Sequence, residues 1–326
     1  MKLLAAFAGA LLCLASTANA QETVLKFGHA ASSKHLFHTG LEDFAKRVAD
    51  KTGGKVKIEV YGDRQLGDDK QLLEGIQIGT IDGALVSSPT LPLSIGATAF
   101  DALQLPFVVG SYEQLSEALL SPVGDEILKS LDQKSIKGLG FIEAGQRHFL
   151  SRGKAVEKVA DFAGLKTRIV PIPLHKATWE AVGVNPIGMA YGEVYSALET
   201  GTIDAVEINL SSIESESLYD AAKNVTLTGH YFWPGVLMMS NIGWQKLSPE
   251  VQAALEEAGR ETTAEAYKTA AAQESEVTKA LEAKGVNITK LTDLPEMQEK
   301  TSGVVTEWLK KDPLIQSFYD AVKAEK

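Results

Sequence analysis

The sequence predicts an α/β protein of two similar lobes, and three observations carry the prediction. The chain has 326 residues, enough for two lobes with cores of their own. Strand-like alternation and helix-like periodicity follow one another in both halves, the pattern of mainly parallel sheets covered by helices. One passage also occurs twice in the same setting. Gly79-Thr80-Ile81-Asp82-Gly83 in the first half matches Gly201-Thr202-Ile203-Asp204-Ala205 in the second. In both, glycine closes a helix as a left-handed cap and Ile-Asp opens a strand.

The elements follow in order. Residues 1–20 read as a secretory signal, with Lys2 as a basic start, Leu3 to Leu14 as the apolar stretch and Ala18-Asn19-Ala20 as the cleavage site. The mature chain is expected to begin at Gln21, outside the cytoplasm. Cys13 is the one cysteine and lies inside this signal. It follows Leu12, where a lipid-attachment site has a small residue, so it is not read as a lipid anchor. The mature chain therefore has no disulfide and no thiol chemistry, which fits a bacterial periplasm.

Residues 55–60 alternate as a half-buried strand. A helix over Asp68 to Ile78 follows, stopped by Gly79, and a strand then ends at Ser87-Ser88. In the second half Lys166 to Val170 reads as a strand, Pro173 to Val182 and Gly192 to Thr200 as helices, and a strand runs on toward Asn209. Ligands of such sheets sit beyond the carboxyl ends of strands, here near Ser87-Ser88 and Glu207 to Ser212. Ser248 and Pro249 open a long helix, Glu250 to Lys284, whose one interior glycine is Gly259. At 1.5 Å per residue it spans roughly 50 Å, enough to run along both lobes. A last helix over Pro313 to Lys323 has Asp312 as its N-cap.

Composition excludes several functions. The net charge is −10 with lysine and arginine scattered, which argues against nucleic acid. No later segment approaches the roughly 20 apolar residues of a membrane span. There is no phosphate loop, no Gly-x-Ser-x-Gly elbow and no His-Glu-x-x-His. His29, His35 and His38, with Glu42 one turn beyond, form the one cluster open to a metal reading. The alternative reading is one cleft histidine plus helix-start and surface histidines; no metal and no cofactor is expected.

Several ordered segments resemble the solute receptors of tripartite ATP-independent periplasmic (TRAP) transporters, the family of C4-dicarboxylate and sialic-acid receptors. They are Lys26-Phe27-Gly28-His29, Gln65-Leu66-Gly67, Asp101 to Phe107, Gly164-Leu165-Lys166-Thr167-Arg168, Tyr191 to Leu198 and Thr226-Leu227-Thr228-Gly229-His230. The resemblance implies the two-lobed periplasmic binding protein fold, with a strand hinge and a long helix spanning both lobes. It implies a first lobe of residues 21–145 plus about 234–273, a second of 146–233 plus about 274–305, and a C-terminal helix over 306–326.

The resemblance also implies a site. Arg168 falls on the family's carboxylate anchor, and a guanidinium fork suits a carboxylate with two charge-assisted hydrogen bonds. Arg147 matches a second arginine of the sialic-acid receptors. Many members carry Glu-Asn where this chain has Glu207-Ile208-Asn209. Either Asn209 reaches the ligand from a loop, or that amide contact is lost. Asp69 keeps the family acid and is set to read hydroxyls, or else caps its helix. Ser87 and Ala30 stand where sialic-acid receptors have larger polar groups. His29 and Tyr191 complete the candidate set, while Trp179 and Trp233 are expected to be packing residues.

The function these features imply is a non-catalytic, monomeric receptor. It captures an organic acid, with a sugar acid such as a uronate favoured, and hands it to the membrane permease subunits. The alternatives are a C4-dicarboxylate or a 2-oxo or 2-hydroxy acid as ligand. An exported enzyme of the same shape would need a nucleophile with a base, or a metal, and no such constellation is in the sequence. A receptor for an ATP-driven importer is disfavoured by the motifs and by the long helix.

Overall fold

The computed structural model describes residues 23–324; the expected signal and its cleavage site lie outside them. Ten strands form two joined sheets: β1 (Thr23–His29), β2 (Val56–Tyr61), β3 (Gly83–Ser87), β4 (Ile136–Ser151), β5 (Lys166–Ile169), β6 (Asn185–Gly188), β7 (Ala205–Asn209), β8 (Asn224–Leu227), β9 (Phe232–Ser240) and β10 (Asn287–Lys290). The first lobe has the order β2-β1-β3-β9-β4; the second continues β4-β7-β5-β6, with β8 and β10 on the other side of β4. No helix among the described residues is long and apolar enough to cross a membrane.

The two-lobed α/β architecture agrees with the sequence reading. Five of the nine strand pairings among the described residues are parallel, and the four antiparallel ones all involve β4 or β9. β1, β2 and β3 pair in parallel, as do β5, β6 and β7, but β4 and β9 run against their neighbours. These two strands carry the chain between lobes, so they return against the βα units. β4 has no alternation to betray it, because it is buried on both faces for most of its length.

The lobes join along β4. Its pairing with β9 slips between Glu143 and Gln146, where Gly145 has a φ of 114°. Such a bulge bends a strand. Before it β4 belongs to the first sheet, and after it β4 pairs with β7 and β8 of the second.

The long helix is present over Pro249–Ala283, capped by Ser248, whose hydroxyl accepts from the Val251 N–H. Leu255 and Ala258 pack into the first lobe with Phe44 and Ile142, while Leu281 packs into the second with Leu150 and Val225. Gly259 explains itself: a Cβ there would lie 2.1 Å from the carbonyl oxygen of Leu139. The last helix, Pro313–Ala324, returns to the first lobe and buries Ile315 and Phe318 against Leu103 and Ile127. Asp312 accepts from the Leu314 N–H at 2.9 Å, as a cap should.

Candidate functional site

A cavity of about 580 Å³ lies between the lobes. It opens beyond the carboxyl end of β3, where the two lobes face each other. Arg147, Arg168, Asp69, Ser87 and Tyr191 line it, so five of the eight residues expected from sequence come together. Glu207, Asn209 and His29 do not face the cavity.

Arg168 is positioned by β5 and is almost fully buried. Its Nε and Nη2 both donate to the carbonyl of Met189, at 3.1 and 2.9 Å. The other edge of the guanidinium is left toward the cavity. Among the described residues no carboxylate lies within salt-bridge distance of it. Burial pulls its pKa down to about 10, partly offset by the Glu207 charge, so it stays a cation at neutral pH.

Arg147 sits on β4 just past the bulge. Its Nε donates to Glu207 Oε2 and its Nη2 to the Glu207 carbonyl oxygen. The guanidinium carbon lies 3.7 Å from the centroid of the Trp233 ring, a cation–π contact. Glu207 is therefore a counter-charge beneath the site. Burial alone would raise its pKa; the charge of Arg147 and the His230 ring nitrogen 3.5 Å away reverse this and hold it well below the usual range. Tyr231 also donates to the same oxygen at 3.1 Å.

Asn209 is fully buried and its amide is spent within the protein. Its Nδ2 donates to the Ala144 carbonyl at 2.7 Å and to Ser211 Oγ at 2.6 Å, and its Oδ1 accepts from Ser212 Oγ at 3.0 Å. It ties β7 to the bulge in β4. The physical reason is register: Asn209 lies opposite Arg147 at the end of β7, pointing at the hinge backbone.

Asp69 is not a cap. Asp68 does that work, accepting from the helix and closing a capping box with Gln71. Asp69 is freed to turn inward, where its Oδ2 accepts from the Ser87 N–H at 3.1 Å and from Thr90 Oγ1 at 3.2 Å. Burial raises its pKa to about 6, more than these bonds lower it.

The histidines separate. His29 pairs its Nε2 with His38 Nδ1 at 2.9 Å, away from the cavity, and burial lowers its pKa to about 4. His38 lies 3.4 Å from Glu42. His35 faces the other way: its Nδ1 accepts from the Phe37 N–H and its Nε2 meets Ser212 Oγ at 3.0 Å. Among the described residues no group of three or more such side chains is placed to hold a metal ion.

Sequence reasoning left Trp233, His35 and Thr90 outside the candidate set and reached Ser212 only as the end of a strand-end segment; all four line the cavity. Trp233 was expected to pack, and it does, but against a cleft arginine. His35 and Ser212 had a signal in their positions, one at a helix start and one beyond a strand end. Trp179 is a core residue as expected.

The second-lobe wall thus carries two guanidinium charges against one depressed carboxylate. His35 and His175 have burial-lowered pKa values of about 3 and add no charge. The opposite wall offers Asp69, Ser87 and Thr90. Two guanidinium groups on one wall and carboxyl and hydroxyl groups on the other suit a small organic anion.

Fold and site together define a two-lobed receptor for a small organic anion. The chain belongs to bacterial extracellular solute-binding protein family 7, whose model matches residues 27–312; solved structures similar to it include TRAP periplasmic solute-binding proteins. The 2,3-diketo-L-gulonate-binding periplasmic protein YiaO of Escherichia coli K12 is 30% identical over 280 residues, covering 86% of this chain and 84% of its own. The C4-dicarboxylate-binding periplasmic protein DctP of Rhodobacter capsulatus is 30% identical over 267 residues, 80% of this chain and 79% of its own. A TRAP solute-binding protein from Sulfitobacter sp. NAS-14.1, solved with bound β-D-galacturonate, superposes with a TM-score of 0.84 at 28% identity, covering 93% of this chain and all of the other.

Proposed function

We propose that this receptor binds a monocarboxylate sugar acid, a uronate or an aldonate, and delivers it to a TRAP permease from the periplasm. One observation carries the reading. Arg168 is a buried cation whose fork is fixed on Met189 and whose remaining edge faces the cavity without an acid. A buried charge of this kind needs a partner, and a ligand carboxylate supplies it. Asp69, Ser87 and Thr90 then read hydroxyls from the other lobe. Glu207 acts on Arg147 and not on the ligand, and Asn209 supports the hinge.

A C4-dicarboxylate would need a second free cation. Arg147 is already held by Glu207, and the far wall ends in Asp69, so this ligand fits less well. The receptor performs no chemistry in this reading.

The test is a thermal-shift screen of the mature protein against hexuronates, hexonates, C4-dicarboxylates and 2-oxo acids. A ligand at 100 times its dissociation constant stabilises by about 2.7 kcal/mol. Sugar acids should raise the melting temperature and succinate should not; the reverse order would reject the ligand class. Intact mass of the periplasmic fraction should show Gln21 as the first residue.

A further inference from the structure

One carboxylate ties the rim of the cleft. Glu216 follows the helix Leu210–Ser215 of the second lobe. Its Oε1 accepts from the Ser32 N–H at 3.0 Å, and its Oε2 accepts from Arg64 Nη2 at 3.5 Å. Ser32 lies in the turn after β1 and Arg64 in the loop after β2, so both donors belong to the first lobe.

Those two loops are already joined to each other. Asp63 accepts from the Ser33 N–H at 3.1 Å and donates its own N–H to the Ala31 carbonyl at 2.8 Å. They form one unit facing Glu216. The guanidinium of Arg64 also lies 5.0 Å from the centroid of Tyr191, the tyrosine in the cleft wall. Arg64 thus touches the second lobe twice, once through charge and once through the ring.

The backbone is bent to make this meeting. Asp63, Arg64 and Ser217 have φ values of 54°, 61° and 53°, the left-handed region that non-glycine residues avoid. Two of these lie on the first-lobe side and one directly after Glu216. Such conformations persist where the surrounding structure requires them, and they gather at ligand clamps. Neither Arg64 nor Glu216 lines the cavity.

We propose that Arg64 and Glu216 are a closing latch: positioning residues that hold the lobes together around the ligand without touching it, and so set how long it stays. This rests on the receptor reading, in that it requires lobes that open and close. Contacts made only in the closed state slow opening and leave encounter unchanged, so the latch acts on the dissociation rate.

The test uses full mature protein, with D-galacturonate as probe in stopped flow. Arg64→Ala and Glu216→Ala should each raise the dissociation rate about three- to thirtyfold while the association rate stays within about twofold. The double variant should lose less than the sum of the two single ones, because the ion pair is counted in both while the Ser32 and Tyr191 contacts belong to one residue each. Melting of the ligand-free protein should hardly move. A second arm needs no ligand: spin labels at Lys46→Cys and Lys176→Cys, one on each lobe, report the interlobe distance. Glu216→Ala should remove the short-distance population from that distribution. If D-galacturonate fails to bind the wild type, the sugar-acid reading is what fails, and the distance arm alone decides the latch. Unchanged distances together with unchanged dissociation rates overturn it, as do additive losses in the double variant.

Discussion

Arg168 grips the backbone carbonyl of Met189 with two N–H groups, at 3.1 and 2.9 Å. The contact fixes the plane of the guanidinium before any ligand arrives. Orientation costs that a flexible cation would meet on binding are met in folding.

Replacement of Arg168 therefore acts on binding first. Arg168→Ala should weaken ligand binding by about 2–5 kcal/mol, a loss of about 30-fold to several thousand-fold. Arg168→Lys should recover only part of the binding, because the charge returns and the fork does not. Unlike a side chain waiting free in a cleft, this one also satisfies a carbonyl, so Arg168→Ala should cost about 1 kcal/mol of ligand-free stability. Calorimetry and urea unfolding read the two effects separately; binding within threefold of wild type would remove Arg168 from the anchor role.

Glu207 offers a test of charge pairing. Glu207→Gln leaves Arg147 buried without its acid and should destabilise the protein by about 3–5 kcal/mol at pH 7. The sign with pH follows from the lowered pKa. The wild-type contribution is present above the unfolded value near 4.5 and is lost as pH falls toward the depressed folded value. Urea unfolding between pH 7 and pH 3 should thus show the wild-type advantage shrinking as acid is added. A gap that stays constant would show that folding does not lower the pKa of Glu207.

Glu143 should behave oppositely. Burial raises its pKa to about 8, despite N–H donors from Gly145, Trp233 and Ala144. The native state then holds a proton that the unfolded chain releases. Its contribution is intact below about pH 4.5 and is lost as pH rises through about 8. Glu143→Gln keeps the acceptor for Gly145 and Trp233 and cannot ionise. It should lie close to the wild type at pH 5 and exceed it by several kcal/mol at pH 9; equal stability at both would exclude a protonated Glu143.

Gly259→Ala runs against propensity. In an open helix the change would gain roughly 1 kcal/mol. Here the new Cβ meets the Leu139 carbonyl at 2.1 Å, a backbone atom that cannot rotate away. Separation of the helix from β4 should cost about 1–3 kcal/mol, visible as a lower melting temperature.

Most of the βα pattern was legible because each unit carries its own signals: Gly79 and Gly201 as left-handed caps, Ser248 and Pro249 at a helix start. β4 was not, since a strand buried on both faces has no period to read. In the site, Arg168 was legible through its motif and Asp69 through its family acid. Asn209 could not be resolved from sequence: its partner, the Ala144 carbonyl, lies 65 residues away and is exposed to it by a bulge. Trp233 hid for the same reason, since only the folded chain puts Arg147 over its ring.

The placement of β9 and of the last helix has a consequence for how the chain comes to be folded. The first lobe begins at Thr23, yet its sheet is incomplete until β9 slides between β3 and β4, and its core stays open until Phe318 arrives. Contacts this distant in sequence form slowly, because a long loop must close before any of them is rewarded. A chain still emerging from the ribosome can therefore build only fragments of this lobe. The first lobe completes its sheet and the core cluster around Phe318 only after β9 and the final helix have been made, so it closes late in synthesis.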